Sequence, residues 1–522
     1  MYCVVGSGPA SIAAAMALVK RGLQVTILDG GKSLEPERQS VLDRLSEQKQ
    51  EDWSEPDLDC LRGDDQSSRH GSIHSKRTYG SEYPYEDVGE PLVREPQSIP
   101  FHYSMARGGF SNVWGASLLP SHQRDMEGWP IGAQDLAAHY RAVLEFMPST
   151  GVRDELEEFL PAYVGAEHPM KESRQIADLL ADLRKRRMGM RKAGIHFGKS
   201  RVAMDAEKCV YCGLCLYGCP YSLIYSSAYT LRKLIAEKLV DYRPGCVVER
   251  LQPLGNGVAV HARDSAGNIS SIEAERVFVG AGILPSAWMA LNSLDAFDEP
   301  VTMLDSQYFI FPFFRFSRTP GVDKEPLASL VQAFLEIEDP RVSRNLVHVE
   351  VFSYSDFLKR ALMATPLRFM LWNRWMQSQM FDRLLVLQCF LHSDDSSRMT
   401  LRLQRDANGR PKLDLQSVVK REAYWSAIKA GLKLAANGLK LRGLPVVPAI
   451  QFAEPGRSYH SGGTFPMRRS NPGRFETDTL GQLPGLPGVH FVDATVLPSI
   501  PATTITLTVM ANAHRIATQA GA

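Results

Sequence analysis

Four cysteines stand in the stretch KCVYCGLCLYGCPY, residues 208–221: Cys209, Cys212, Cys215 and Cys219, the last followed by Pro220. The spacing C-x2-C-x2-C-x3-C-P is that of one half of a bacterial ferredoxin. Thiolates are soft ligands that suit iron–sulfur clusters, and such short separations let one loop wrap the metal. Gly213 and Gly218 leave backbone N–H groups able to reach the sulfurs and tune the potential. Zinc competes for the same residues, but a zinc ribbon usually shows two C-x2-C pairs set well apart. In two-cluster ferredoxins the fourth cysteine of such a run ligates the other cluster, and this chain has a single run. The thiol count favours one [4Fe–4S] cluster on all four. A [3Fe–4S] cluster on three of them, or a remote fourth ligand, stays open. Cys3, Cys60, Cys246 and Cys389 are scattered, and a clustered set in a large chain reads as metal-binding rather than as a disulfide framework.

A second chemistry is written at the start of the chain, in MYCVVGSGPASIAAAMALVKRGLQVTILDGG. Tyr2 to Val5 is a short apolar strand. Gly6 and Gly8 permit a tight turn and close approach of a pyrophosphate. Pro9 suits a first helical turn, where its missing N–H costs nothing. Ala10 to Arg21 forms helix well, Gly22 closes it, and Leu23 to Leu28 is a second strand. Asp29 then falls 23 residues after Gly6, where an acid binds a ribose hydroxyl. Phosphates would sit at the helix N-terminus, against unpaired N–H groups. Ser11 occupies the third glycine position and is small enough for close helix–strand packing. Strand, turn, helix, strand and acid in register predict dinucleotide binding, without separating FAD from NAD.

The elements that must position these groups are spread over 522 residues, enough for two or three domains. With 59 basic and 58 acidic residues, the charge balance gives no reason to expect nucleic-acid binding. No apolar run approaches the ~20 residues of a spanning helix, and no basic leader precedes Tyr2. The expectation is a cytoplasmic protein, with export alongside a signal-bearing partner left open. Residues 32–100 are polar and rich in Ser, Asp and Glu. In MARGGFSNVWGAS (105–117), Gly108, Gly109, Ser111 and Asn112 could lay backbone N–H groups and small side chains against a flat ring system, or form a plain turn. ERVFVGAGILPSAWMALNS repeats strand, glycine turn and helix. Residues 301–317 and 383–415 read as strands of a second sheet. Residues 356–382 set Lys359, Arg360, Arg368 and Arg374 among Phe369, Leu371, Trp372 and Trp375. That mixture fits an interfacial helix or a helical lid, with Pro366 dividing two helices.

The C-terminal stretch FVDATVLPSIPATTITLTVMANA resembles the glucose–methanol–choline oxidoreductases, FAD enzymes that oxidise alcohols. There a strand ends in V-D-(G/A)-(S/T) before a Pro-containing loop and a T-L-T helix. YHSGGTFPM, with His460, resembles the family's H-x-x-G-T-like motif. The first turn, ARGGFSNVWGA and VFVGAGILPS match further blocks in order. The likeness spans nearly the whole chain and is weakest over 32–100 and 318–382. Within the family the chain looks most like the flavin subunits of bacterial sugar dehydrogenases that carry an iron–sulfur cluster at the corresponding place. Those resemble three-cysteine sites, which keeps [3Fe–4S] open.

The resemblance implies an α/β (α+β overall) fold, with a Rossmann-like FAD domain and a second, mostly antiparallel-sheet substrate domain. The FAD domain would comprise 1–35, 100–130, 200–300 and 470–522, with the cysteine loop 208–221 inserted. The substrate domain would comprise 131–199 and 301–469, and 36–99 would be a polar excursion. By the same correspondence His460 is the base. Thr504 stands where the family has a second His or Asn, and threonine is no useful base. Asp493, Ala494 and Thr503 would approach the flavin or its phosphates, and Val248 the adenine. The implied activity is oxidation of an alcohol group of a sugar, sugar derivative or other polyol. Electrons would leave through the cluster to an acceptor protein or quinone, with peripheral membrane contact through 356–382 as one option. The alternatives are a reductase running in the opposite direction and a non-catalytic electron-transfer subunit.

Overall fold

The computed structural model describes residues 1–63, 76–94, 101–363 and 372–521. The first strand, Tyr2–Val5, lies inside a five-stranded parallel sheet. Its neighbours are Arg276–Val279 on one side and Val25–Asp29 on the other, with Val489–Phe491 and Val240–Pro244 at the edges. Three of these strands are entirely buried, which is why they read as unbroken apolar runs rather than alternating ones. The helix Pro9–Lys20 crosses from the first strand to the second and packs on the C-terminal helix Thr506–Gln519. The second glycine turn, at Gly280 and Gly282, leads from Arg276–Val279 into the helix Ile283–Ser293. The fold class is therefore the mixed one anticipated: a parallel sheet of Rossmann-like order joined to antiparallel sheets.

The largest antiparallel sheet has seven strands. Its main path runs Gly443–Pro445, Tyr308–Arg315, Leu384–Leu391, Val347–Phe352, Ala333–Ile337 and Ile195–Lys199, with Gln451–Phe452 beside Tyr308–Arg315. Alternate residues face opposite sides. Phe309, Phe311, Phe313, Val349, Leu385 and Leu387 form one core beneath the helices Arg174–Arg184 and Arg421–Ala436. Tyr308, Ile310, Glu350, Gln388 and Phe390 face the other way, toward the parallel sheet's cavity.

Residues 301–317 and 383–415, read from sequence as one sheet, divide between two. Pro300–Asp305 and Arg398–Arg405 belong to a four-stranded sheet with Pro411–Val418 and Ser461–Gly462. Buried polar residues make the corner. The Gln307 N–H donates to Ser396 Oγ, and the Gln307 side-chain oxygen accepts from the Ser397 N–H.

Within the polar excursion, the helices Pro36–Glu47 and Glu55–Arg62 form a cover. Ser54 caps the second by accepting from the Asp57 N–H. Leu42, Leu45 and Leu61 pack on Leu214 and Tyr217, inside the cysteine loop. Among the described residues no helix is long and apolar enough to cross a membrane.

Candidate functional site

A cavity of about 530 Å³ runs from the first glycine turn to the open face of the seven-stranded sheet. At its near end Gly6 has φ +91°, and a Cβ there would meet Gly280 O and Ala281 Cα at 3.0 Å. The two glycine turns thus touch through their backbones, and no larger residue fits. Gly8 begins the Pro9 helix with no side chain capping it, so its leading N–H groups are open to an anion. Asp29 closes the end of its strand. Its Oδ2 accepts from Ser7 Oγ (2.7 Å) and the Tyr242 hydroxyl (2.9 Å). Burial pushes the Asp29 carboxyl up to about 6, against the pull of those two hydrogen bonds and of Arg107. Ser7 Oγ also accepts from the Gly108 N–H at 2.9 Å, tying the glycine turn, the acid and the 105–117 loop together.

The candidate residues divide into wall and support. Gly6, Gly8, Pro9, Ala10, Asp29, Gly109, Ser111, Val248, Asp493, Ala494, Thr504 and His460 line the cavity. Ser11, Gly108, Asn112 and Thr503 stand behind it. The Ser11 hydroxyl donates to the carbonyls of Val5 and Gly280, knitting helix to sheet rather than facing a ligand. The Asn112 amide donates to the carbonyls of Arg107 and Gly109 and holds the loop's shape. Asp493 reaches the wall, but its carboxylate is fully used. Oδ2 accepts from the Gly282 N–H and the Ser286 hydroxyl, while Oδ1 accepts from Thr495. It caps the short helix Ala494–Val496 and ties that turn to the start of the helix Ile283–Ser293. The Thr504 hydroxyl donates to the Ser117 carbonyl at 3.1 Å, so its hydrogen is not aimed into the cavity.

His460 is positioned by a buried acid. Asp305 accepts from the hydroxyls of Ser458 and Ser461 and from the Gly456 N–H, pinning the loop that carries the imidazole. The ring stacks on Phe390 at 4.8 Å between centroids. Its Nδ1 is buried without a hydrogen-bond partner, so exchange with a cavity ligand passes through Nε2. Burial pulls the imidazole down to about 4, with Glu350 acting upward and His348 downward. At neutral pH the ring is an uncharged proton acceptor.

Two wall residues were not anticipated from sequence: Glu350 and Gln388, paired in register across adjacent strands. The Ser117 hydroxyl donates to Glu350 Oε1. Behind it, His348 Nδ1 lies 2.7 Å from Glu336 Oε1, with both side chains fully buried. Burial opposes charge on His348, but the Glu336 carboxylate outweighs it and lifts the imidazole to about 9. Ser7 was missed as well. The signal for Glu350 was present, since His348 and Glu350 are alternate polar residues in the apolar strand VHVEVF.

The cysteine loop abuts the same cavity: Leu216, between Cys215 and Cys219, is on its wall. Lys76 shares that wall and donates to the Trp114 carbonyl at 2.8 Å. Among the described residues no group of three or more His, Cys, Asp or Glu side chains is gathered as for a metal ion. The four thiols are nonetheless close enough to affect one another's ionisation. Burial first, then Cys212 and Cys219, pushes the Cys215 thiol up to about 12. Backbone N–H groups point at the sulfurs, from Tyr211 to Cys209 and from Leu223 to Cys219, each at 3.4 Å. Two of the four sulfurs thus accept from backbone N–H groups. Of the stretch 356–382, residues 364–371 lie outside the described residues. The helix Asp356–Met363 brings Phe357 and Leu358 to the cavity, and Trp372 and Trp375 are exposed.

A glycine cradle thus lies at one part of the cavity and an antiparallel sheet with a buried histidine at another. A solved structure with this architecture is pyridoxine 4-oxidase from Mesorbium loti. It matches with a TM-score of 0.58 at 12% identity, over 99% of this chain and 98% of that chain. The likeness is one of fold. No family model and no curated protein matches the sequence.

Proposed function

We propose that the protein is an FAD-dependent oxidoreductase acting on a CH–OH group, with an iron–sulfur centre at Cys209, Cys212, Cys215 and Cys219 as its electron outlet. The observation that carries this reading is one continuous cavity, with the glycine cradle and Asp29 at one end, His460 at the other and the cysteine loop along its side. The solved neighbour is an oxidase by name; the cysteine run is the reason for reading this chain as a dehydrogenase instead. A bound flavin supplies a two-electron hydride acceptor and a bound cluster a one-electron carrier.

The chain's own residues do the rest. The uncapped helix N-terminus at Gly8 and the acid Asp29 hold the diphosphate and a ribose. His460 Nε2 takes the substrate hydroxyl proton as the C–H bond breaks. Glu350 favours the imidazolium that results, as its upward effect on His460 requires. Phe390 fixes the ring's plane.

Anaerobic purification followed by absorbance, EPR and a panel of alcohols tests the reading. Yellow protein with iron and labile sulfide, bleached by at least one alcohol, is the expected result. Colourless protein, or flavin that bleaches with no alcohol, overturns it. Asp29→Ala is expected to weaken flavin retention by roughly 10- to 150-fold, since a hydrogen bond to a charged group contributes about 1.5–3 kcal/mol. Flavin released per mole of protein on gel filtration reads this directly.

A further inference from the structure

We propose that the alcohol taken by this site is an amphiphile, a hydroxylated head carried on a hydrophobic chain or body, rather than a free sugar or polyol. The inference rests on the oxidoreductase reading above and concerns the substrate's class. It comes from how the open face of the seven-stranded sheet is ordered.

Three rows of side chains cross that face. Tyr308 is paired with Phe390, against which His460 stacks. The next row is Ile310, Gln388 and Glu350, and the one after is Pro312, Val386 and Phe352. Residues two apart on a strand are about 7 Å apart, so the rows span roughly 13 Å. Polarity falls along that path. Gln388 and Glu350 stand beside the histidine's row, and both reach the cavity. Val386 and Phe352 follow on the same wall, joined by Phe357 and Leu358 from the helix Asp356–Met363.

A compact polyol surrounded on all sides would need a partner for each hydroxyl, because a buried polar group left unpaired weakens binding. The described residues supply such partners at the histidine end and an apolar wall beyond it. That gradient matches a molecule with one polar end. Past that wall, outside the cavity, the same end of the sheet carries a further apolar cluster. Tyr354 stacks edge-on against Phe381 of the helix Arg374–Phe381. Trp372, just before that helix, and Trp375, on it, are 77% and 70% exposed. The sheet end nearest the apolar wall is thus the end that carries exposed indoles.

Isothermal titration of the holoenzyme with matched probes tests the proposal. The probes are methyl and n-octyl β-D-glucoside, and glycerol and its n-octyl ether, all below micellar concentration. Each buried methylene is worth about fourfold in affinity, so an octyl chain with about four methylenes enclosed gains on the order of 100-fold. At least one octyl probe is expected to bind that much more tightly than its short partner. Val386→Thr and Leu358→Asn should each remove most of the gain while leaving flavin content unchanged. Equal affinity within both pairs, no binding of any probe, or tight octyl binding that survives both substitutions overturns the proposal. The flavin spectrum of the same sample separates this outcome from failure of the oxidoreductase reading. Yellow, alcohol-bleachable protein indifferent to the octyl chain loses the amphiphile alone, and colourless protein loses the enzyme.

Discussion

His460→Ala protein is expected to reduce its flavin about 10²–10⁴-fold more slowly than wild type with any alcohol the wild type accepts, yet to bind flavin to the same occupancy. The measurement is anaerobic stopped-flow absorbance at saturating alcohol. The size follows from the role. A base that removes the hydroxyl proton acts on the chemical step, so the loss appears in the limiting rate and not merely in the affinity. Occupancy is spared because the glycine cradle, Asp29 and Val248 lie on other parts of the wall. Unchanged turnover in this variant would instead favour the non-catalytic subunit.

The same histidine predicts a pH profile. Burial holds its imidazole near 4 in the ligand-free cavity, and the base works only when neutral. Flavin reduction should therefore rise with pH through that region and be flat by neutrality. Glu350→Gln removes the carboxylate that raises the imidazole's pKa, so the acid limb moves lower still. The limiting rate falls with it, because the charge that favours the imidazolium is gone.

What could be read from the chain and what could not divide along a physical line. The glycine cradle was legible because its constraints are local: Gly6, Pro9 and Asp29 are fixed by one strand, one turn and one helix. Ser7 was not, because any residue fits the middle of a G-x-G turn and its value arises where it meets Gly108, 101 residues on. Ser11, Asn112 and Thr504 illustrate a second limit. Residue type was visible, but the direction of each hydroxyl or amide was decided by a tertiary partner: Gly280, Ser226 and Ser117 respectively. Glu350 and Gln388 became neighbours only through strand pairing, which periodicity cannot specify. The excursion over 36–99 looked polar because its helices present charge outward. Leu42, Leu45 and Leu61 are the buried residues of the helices Pro36–Glu47 and Glu55–Arg62, and what they cover is the cysteine loop.

Cys212→Ser and Cys215→Ser proteins should lose their iron and labile sulfide almost completely while remaining yellow. Thiolate is the ligand that suits iron–sulfur chemistry, and a serine hydroxyl is a harder, poorer donor. The flavin cradle is built from other elements, so its occupancy stays. A split in kinetics follows. A single anaerobic addition of alcohol still bleaches the flavin at close to the wild-type rate, because His460 and the cavity wall are intact. Sustained turnover with a one-electron acceptor falls to background, because the outlet is missing. Cys219→Ser discriminates between the two cluster types. If four thiols hold a [4Fe–4S] centre, this variant behaves like the other two. If three hold a [3Fe–4S] centre, its iron content and EPR signal match wild type. Cys60→Ser is the control. Its thiol lies outside the run, beside Arg38 Nη1 at 3.6 Å, and its loss should leave iron and turnover unchanged. Wild-type protein purified anaerobically with flavin but without iron would remove the electron outlet, and with it the reason for reading the chain as a dehydrogenase.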